Sequence, residues 1–170
     1  MPDRRRGMPP NSGGYRRPYL ESSVIIAWIK GEVCDGVDRA DVVDHILYQA
    51  QRGAYRIYTS ALTLAEVLHR RGSAPLDDQE DEDVLAFFEH DFIEVIDIDR
   101  LIGEEANRLC RRYGPRPNDG IHIASAIRAG CDVALFWDDR VTNKVVPGIR
   151  LEAPRKLGQQ FLNLPDEAGT

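Results

Sequence analysis

Four acidic residues, Glu21, Glu66, Asp119 and Asp138, stand where short apolar segments give way to helix starts or early helical turns. Carboxylates gathered at one spot repel one another, and the usual physical remedy is one or two hard divalent cations with oxygen ligands and retained waters. Such a site is suited to activating water and stabilising the transition state of phosphodiester hydrolysis. Zinc is disfavoured, because Cys34, Cys110 and Cys131 include no CxxC pair and His45, His69, His90 and His122 form no HExxH or Cys/His spacing. The chain also lacks GxGxxG, GxxxxGK[ST] and GxSxG, which lowers dinucleotide-binding, P-loop and serine-hydrolase readings.

The elements that must carry these acids are clearest in residues 117–140, PNDGIHIASAIRAGCDVALFWDDR. Asn118 is the expected cap of a helix whose first turn holds Asp119, where the helix dipole favours a negative group. Gly130 stops that helix, residues 133–137 read as a buried strand, and Asp138 and Asp139 lie where the strand leaves the sheet. In an open parallel sheet the strand C-termini and the adjoining helix starts meet at one cleft, which would set Asp119 facing Asp138. Tyr19 and Leu20 begin an earlier strand that Glu21 ends, with Ser22 or Ser23 capping the next helix. Glu21 reads equally well as a cleft residue or as a helix-start residue at the surface. Residues 31–38 are loop-like, residues 38–52 a helix stopped by Gly53, residues 56–60 a strand and residues 63–70 a helix. Glu66 in that last helix lies beside apolar neighbours and needs a cation or a partner; the alternative is an exposed Glu66 or one paired with Arg70 at i,i+4.

Six acids fill the seven positions 77–83, a density that suits a solvated loop and helix N-terminus better than a metal site. A helix over 81–90 should bury Val84, Phe87 and Phe88, and residues 92–98 alternate as an edge or half-exposed strand. Residues 99–112 form a helix with Leu101, Ile102, Ala106, Leu109 and Cys110 on its inward stripe. Its basic end, Arg108, Arg111 and Arg112, followed by Arg116, suits either a phosphate backbone or the negative end of a helix. Residues 145–151 suit a final edge strand and 157–164 a short helix. The alternation of strands and helices predicts a three-layer α/β/α sandwich with a central, mainly parallel sheet.

With 170 residues the chain holds a single domain, expected over 19–164, between an arginine-rich extension at 1–18 and a tail at 165–170. The extension carries five arginines against one aspartate and reads as a solvated arm or as a phosphate-contacting one. A net charge of -6 argues against indiscriminate nucleic-acid binding, but not against an acidic centre that reaches nucleic acid through cations and local arginines. No apolar run approaches the ~20 residues of a membrane span, and no signal core follows the N-terminus. The expectation is a soluble cytoplasmic protein with reduced cysteines.

The sequence resembles the PIN-domain nucleases, especially the VapC-type toxins of VapBC toxin–antitoxin systems, over about residues 19–146. YLESSVIIAW at 19–28 is similar to the family's opening strand and acidic turn, with Glu21 at the aspartate position and Ser23 at the small hydroxyl position. TSALTLAEVLHR at 59–70 places the second acid at Glu66, NDGIHIASAIRAGCD at 118–132 places the third at Asp119, and ALFWDDR at 134–140 places the last at Asp138, with Asp139 the adjacent alternative. Two residues depart from the family pattern: Glu21 is one methylene longer than aspartate, and Phe136 stands where a threonine is common.

The resemblance implies an Mg2+- or Mn2+-dependent endoribonuclease. Glu21, Glu66, Asp119 and Asp138 would be both catalytic residues and metal ligands, Asp139 a reserve ligand, and Ser23 would orient a carboxylate or water. Arg111, Arg112 and Arg116 are the expected nucleic-acid contacts. It further implies RNA as substrate, a cognate antitoxin as partner and a homodimer. Two other readings share the same features: a PIN-like module that binds RNA or protein without cutting, and a metal-dependent DNA nuclease or phosphatase.

Overall fold

The computed structural model describes residues 14–68 and 77–157. In chain order they form β1 (Pro18–Leu20), α1 (Ser22–Ile29), β2 (Val33–Cys34), β3 (Val37–Asp38), α2 (Arg39–Gln51), β4 (Ile57–Ser60) and α3 (Ala61–Leu68). These are followed by α4 (Asp78–Phe87), β5 (Ile93–Ile96), α5 (Arg100–Tyr113), α6 (Pro117–Arg128), β6 (Val133–Leu135), α7 (Asp139–Thr142) and β7 (Arg150–Glu152). Strands β5-β4-β1-β6-β7 make one sheet in that spatial order, and every pairing in it is parallel. The expected α/β/α sandwich is therefore the observed architecture. β2 and β3 pair separately as a small antiparallel hairpin inside the stretch read as loop, turning through Asp35 and Gly36 at φ 50° and 77°.

The central strands β1, β4 and β6 are short and buried throughout, so neighbouring residues feed opposite layers. Leu20, Ile57 and Leu135 pack with Val24 and Ile25 of α1 and with Val43, Ile46 and Leu47 of α2. Tyr19, Tyr58 and Ala134 pack on the other side with Ile102, Ala106 and Leu109 of α5 and Ile123 of α6. From β1 the chain moves outward through β4 to β5, then returns past β1 to build β6 and β7. The order reverses between β1 and β6, and in open α/β sheets the crevice outside the strand C-termini at such a point is where ligands bind.

Local chemistry sets the helix boundaries. Asp77 caps α4 in a capping box with Glu80, so the helix starts earlier than its apolar residues suggest and the acidic run forms its first turns. Asp99 caps α5 by accepting from the Ile102 amide, and Gly114 ends it at φ 73°. Leu101, expected inward, is 58 % exposed: this cap puts it on the outer side of the first turn, while Ile102 one residue on is buried. Asn118 does not cap α6. The helix begins at Pro117, whose fixed φ suits a first helical position, and Arg116 occupies the cap without a side-chain bond.

Gly120 governs how closely α6 meets α5. A Cβ there would stand 2.6 Å from Cys110 Sγ and 3.1 Å from the Ala106 carbonyl oxygen. Only a residue without a side chain allows that approach, and it follows directly after Asp119. Near residue 145 the chain turns through Pro147 and Gly148 with a single antiparallel bridge between Val146 and Ile149, so the last strand is shorter than its apolar pattern and pairs with β6 only at Arg150–Glu152. The helix expected over 157–164 lies outside the described residues except for Leu157, as do Arg70 and most of the extension.

Candidate metal centre

Glu21 follows β1 directly. Its amide donates to the Leu135 carbonyl at 3.2 Å, adding one rung to the β1–β6 pairing, and the chain then turns into α1. Glu21, rather than Ser22 or Ser23, is the N-cap of that helix, accepting from the Ser23 amide at 3.0 Å. The longer side chain curls back to do this and leaves the residue 8 % exposed. Oε2 also accepts from the Ser23 hydroxyl at 2.5 Å, while Oε1 lies 2.6 Å from the Ser22 hydroxyl.

Glu66 comes from the second turn of α3, which starts without a linker after β4. Thr59 at the end of that strand donates to the Leu20 carbonyl and lies 2.8 Å from Thr63, which ties the start of α3 to β1. Glu66 Oε2 lies 2.5 Å from Ser22 Oγ and 2.9 Å from His122 Nε2, and Oε1 accepts from Asn118 Nδ2 at 2.8 Å. Burial pushes the Glu66 carboxyl up, but hydrogen bonds from His122, Ser22 and Asn118 together outweigh it and hold the group below its ordinary range. Ser22 has one proton for two carboxylates, so Glu21 and Glu66 are pressed together across a single hydroxyl.

Asp119, in the first turn of α6, is pushed the other way. Burial and then the charge of Glu21 raise its carboxyl, against the opposing Arg116 backbone bond and the neighbouring His122 and Arg116. Asp119 thus feels Glu21, which in turn shares Ser22 with Glu66, where β1, α3 and α6 converge. Asp138 is placed differently. It caps α7, accepting from the Arg140 amide at 2.9 Å, and the Arg140 guanidinium holds both its oxygens at 2.7–3.2 Å. That guanidinium keeps the Asp138 carboxyl down at about 2. Arg116 acts on both Asp138 and Asp119, and Arg140 feels the charge of Asp119 as well as holding Asp138. Asp139 is the exposed first residue of α7. Arg111 and Arg112 lie on the exposed last turn of α5, with Arg112 over the Tyr113 ring at 5.6 Å.

Sequence reasoning passed over His122. It is fully buried, and its Nε2 lies 3.8 Å from Glu21 Oε1 as well as 2.9 Å from Glu66. Donor atoms of Glu21, Glu66 and His122 lie within 4.8 Å of one another, close enough to hold one divalent cation. A search for metal spacing among the histidines alone could not find it. The available signal was its position three residues after Asp119, which puts both on one face of α6. Phe136 is 1 % exposed and packs edge-to-face on His122 with ring centroids 6.5 Å apart, so an aromatic ring fills the space behind the imidazole.

The profile of the PIN domain matches residues 19–145, three quarters of the chain and every residue of this site. The chain belongs to the PIN-domain family. No curated protein matches it significantly. Among solved structures, the PIN-domain chain is similar to VapBC2 from Rickettsia felis, solved bound to a DNA fragment from its promoter, at 17 % identity and a TM-score of 0.56 over 81 % of this chain and 98 % of that one. A toxin–antitoxin complex from Klebsiella pneumoniae aligns at 15 % identity and a TM-score of 0.57 over 78 % and 94 % of the two chains. The sarcin-ricin-loop-cleaving toxin VapC20 of Mycobacterium tuberculosis aligns at 18 % and 0.55 over 78 % and 98 %. Such low identities speak for a shared fold.

Proposed function

We infer that this PIN domain is a divalent-metal-dependent endoribonuclease. The observation that carries the inference is the convergence of Glu21 and Glu66 on one hydroxyl beside His122 at the β1–β6 switch point, with Asp119 near enough to feel the charge of Glu21. Hard oxygen donors in excess of their protons fit Mg2+ or Mn2+ better than a softer ion. Glu21, Glu66 and Asp119 would hold the cation, and Asp138 would join them once released from Arg140. A bound cation supplies charge for the phosphate oxygens and lowers the pKa of water. The chain's own contribution is to hold the carboxylates in register, through Ser22 and Ser23 on Glu21 and through Asn118 and His122 on Glu66. Arg116 and Arg140, both exposed beside the acids, are placed to take the flanking phosphates of an RNA strand, while Arg111 and Arg112 extend the basic surface along α5.

The toxin–antitoxin likenesses support a protein partner for this chain as well, and a homodimer is part of the same proposal. An open groove of about 440 Å³ beside α1 and α2, lined by apolar Trp28, Leu47 and Phe87 and by polar Asp44, Gln51 and His90, is a candidate surface for that partner. No helix among the described residues is long and apolar enough to cross a membrane.

The test is cleavage of labelled RNA, single-stranded DNA and a simple phosphate ester, each with Mg2+, with Mn2+ and with EDTA. The expected result is metal-dependent cutting of RNA that Asp119→Asn abolishes. Cation binding without turnover on any RNA would identify a non-cutting module instead, and preference for DNA or the ester would identify the other hydrolase. Light scattering reads the oligomeric state separately.

A further inference from the structure

The nearness of His122 to both glutamates invites its assignment as a metal ligand, but its hydrogen bonds point elsewhere. The imidazole is fully buried and touches a partner at each nitrogen: Nε2 faces Glu66 Oε2 at 2.9 Å and Nδ1 faces the Tyr19 hydroxyl at 2.8 Å. An ionised carboxylate only accepts, so the Nε2 that faces Glu66 at 2.9 Å carries the hydrogen and donates it. Nδ1 is then free to accept. Tyr19 supplies the matching donor: its phenol is buried in β1 with the hydroxyl 2.8 Å from Nδ1, and a phenol carries its proton at neutral pH. Its ring also meets the imidazole at 5.9 Å and 62°, and Phe136 closes another side at 6.5 Å and 80°. The ring is thus fixed in plane, tautomer and direction.

We propose that His122 is a positioning residue: locked by Tyr19, it donates from Nε2 to Glu66 and holds that carboxylate for the cation without binding the cation itself. The relay runs from the sheet through α6 to α3. It explains why a histidine without metal spacing sits at the base of a carboxylate cluster. Buried partners that orient a ligand typically change metal affinity by about 10–100-fold when removed. The proposal rests on the metal-site reading above and names which side chain sets its geometry.

The test uses the full 15N-labelled chain. Long-range proton–nitrogen correlation spectra, with the His122 signals assigned by their loss in His122→Gln, should show a protonated Nε2 and an unprotonated Nδ1 in the metal-free protein. The pattern should persist under saturating Mg2+. An Nδ1–H tautomer, or loss of the Nε2 proton when Mg2+ is added, overturns the proposal. Mn2+ affinity measured by electron paramagnetic resonance provides the second readout, on variants whose folding is checked by circular dichroism. His122→Leu should bind Mn2+ about 10–100-fold more weakly, whereas His122→Gln, which keeps an amide donor, recovers most of the loss. Tyr19→Phe should weaken binding by freeing the ring at Nδ1, while Nε2 keeps its hydrogen against Glu66. Equal losses in the Gln and Leu variants, or none in Leu, overturn the proposal. Should the affinities follow the expected pattern while no RNA is cut, the positioning role stands and the nuclease reading falls; a wild type that binds no Mn2+ ends both.

Discussion

Arg140 grips Asp138 through both carboxylate oxygens, with its Nη2 2.7 Å from Oδ2 and its Nε 3.0 Å from Oδ1. The pair spans the first turn of α7 and occupies an acid that the family resemblance places in the metal set. Because the folded carboxyl is depressed to about 2 from an ordinary 3.8, its stabilisation is complete above the ordinary value and is lost as pH falls towards 2. Arg140→Gln should therefore lower Tm at neutral pH, by roughly 1–4 °C for so exposed a pair, and the difference should vanish near the acid limit. Thermal melts in EDTA across that range decide this.

Asp119 gives the opposite sign. Its folded carboxyl is raised by burial and by Glu21, so the native state holds a proton more readily than the unfolded chain and ionised Asp119 costs stability above its folded pKa. Asp119→Asn should melt at or above the wild-type temperature in EDTA, yet lose the stabilisation that Mg2+ or Mn2+ gives the wild type. Cleavage in the same variant should fall by about 100-fold or more. A wild type that melts higher than the variant in EDTA would contradict the described field.

The close approach of α6 to α5 is testable at Gly120. Gly120→Ala should destabilise the fold by about 1–3 kcal/mol in denaturant titrations, since its new methyl meets Cys110 Sγ and the Ala106 carbonyl. Adding Cys110→Ala should recover only part of that, because the carbonyl at 3.1 Å stays in the way. Full recovery would place all the conflict on the sulfur.

Phe136 offers a fourth measurement. Replacing it by the threonine common in the family should not improve the site: the ring is buried against His122 and its loss leaves a cavity. Phe136→Thr should cost about 3–5 kcal/mol of stability, the range for large-to-small aromatic changes in cores, and loosen the imidazole behind Glu66. Retained stability would mean that the surrounding side chains collapse into the space.

The sequence by itself determined the alternation of strands and helices, the sheet class and the strand-end or early-helix placement of Glu21, Glu66 and Asp119, because all of these follow from local apolar patterning and short-range chain reversal. Helix starts were less legible. Asp77 with Glu80, and Pro117 with its fixed φ, overrode the apolar periodicity by satisfying or not needing the first amides. The partners of the acids were not legible, since they are set by contacts between residues far apart in the chain: Glu66 with Ser22, 44 positions away, and with His122, 56 away. The same holds for Tyr19 with His122, separated by 103. Residue type and spacing could suggest a carboxylate cleft, but only the packing of β1, α3 and α6 decided that a histidine stands at its base and that Asp138 is held by its own arginine, because burial and hydrogen-bond geometry belong to the assembled layers.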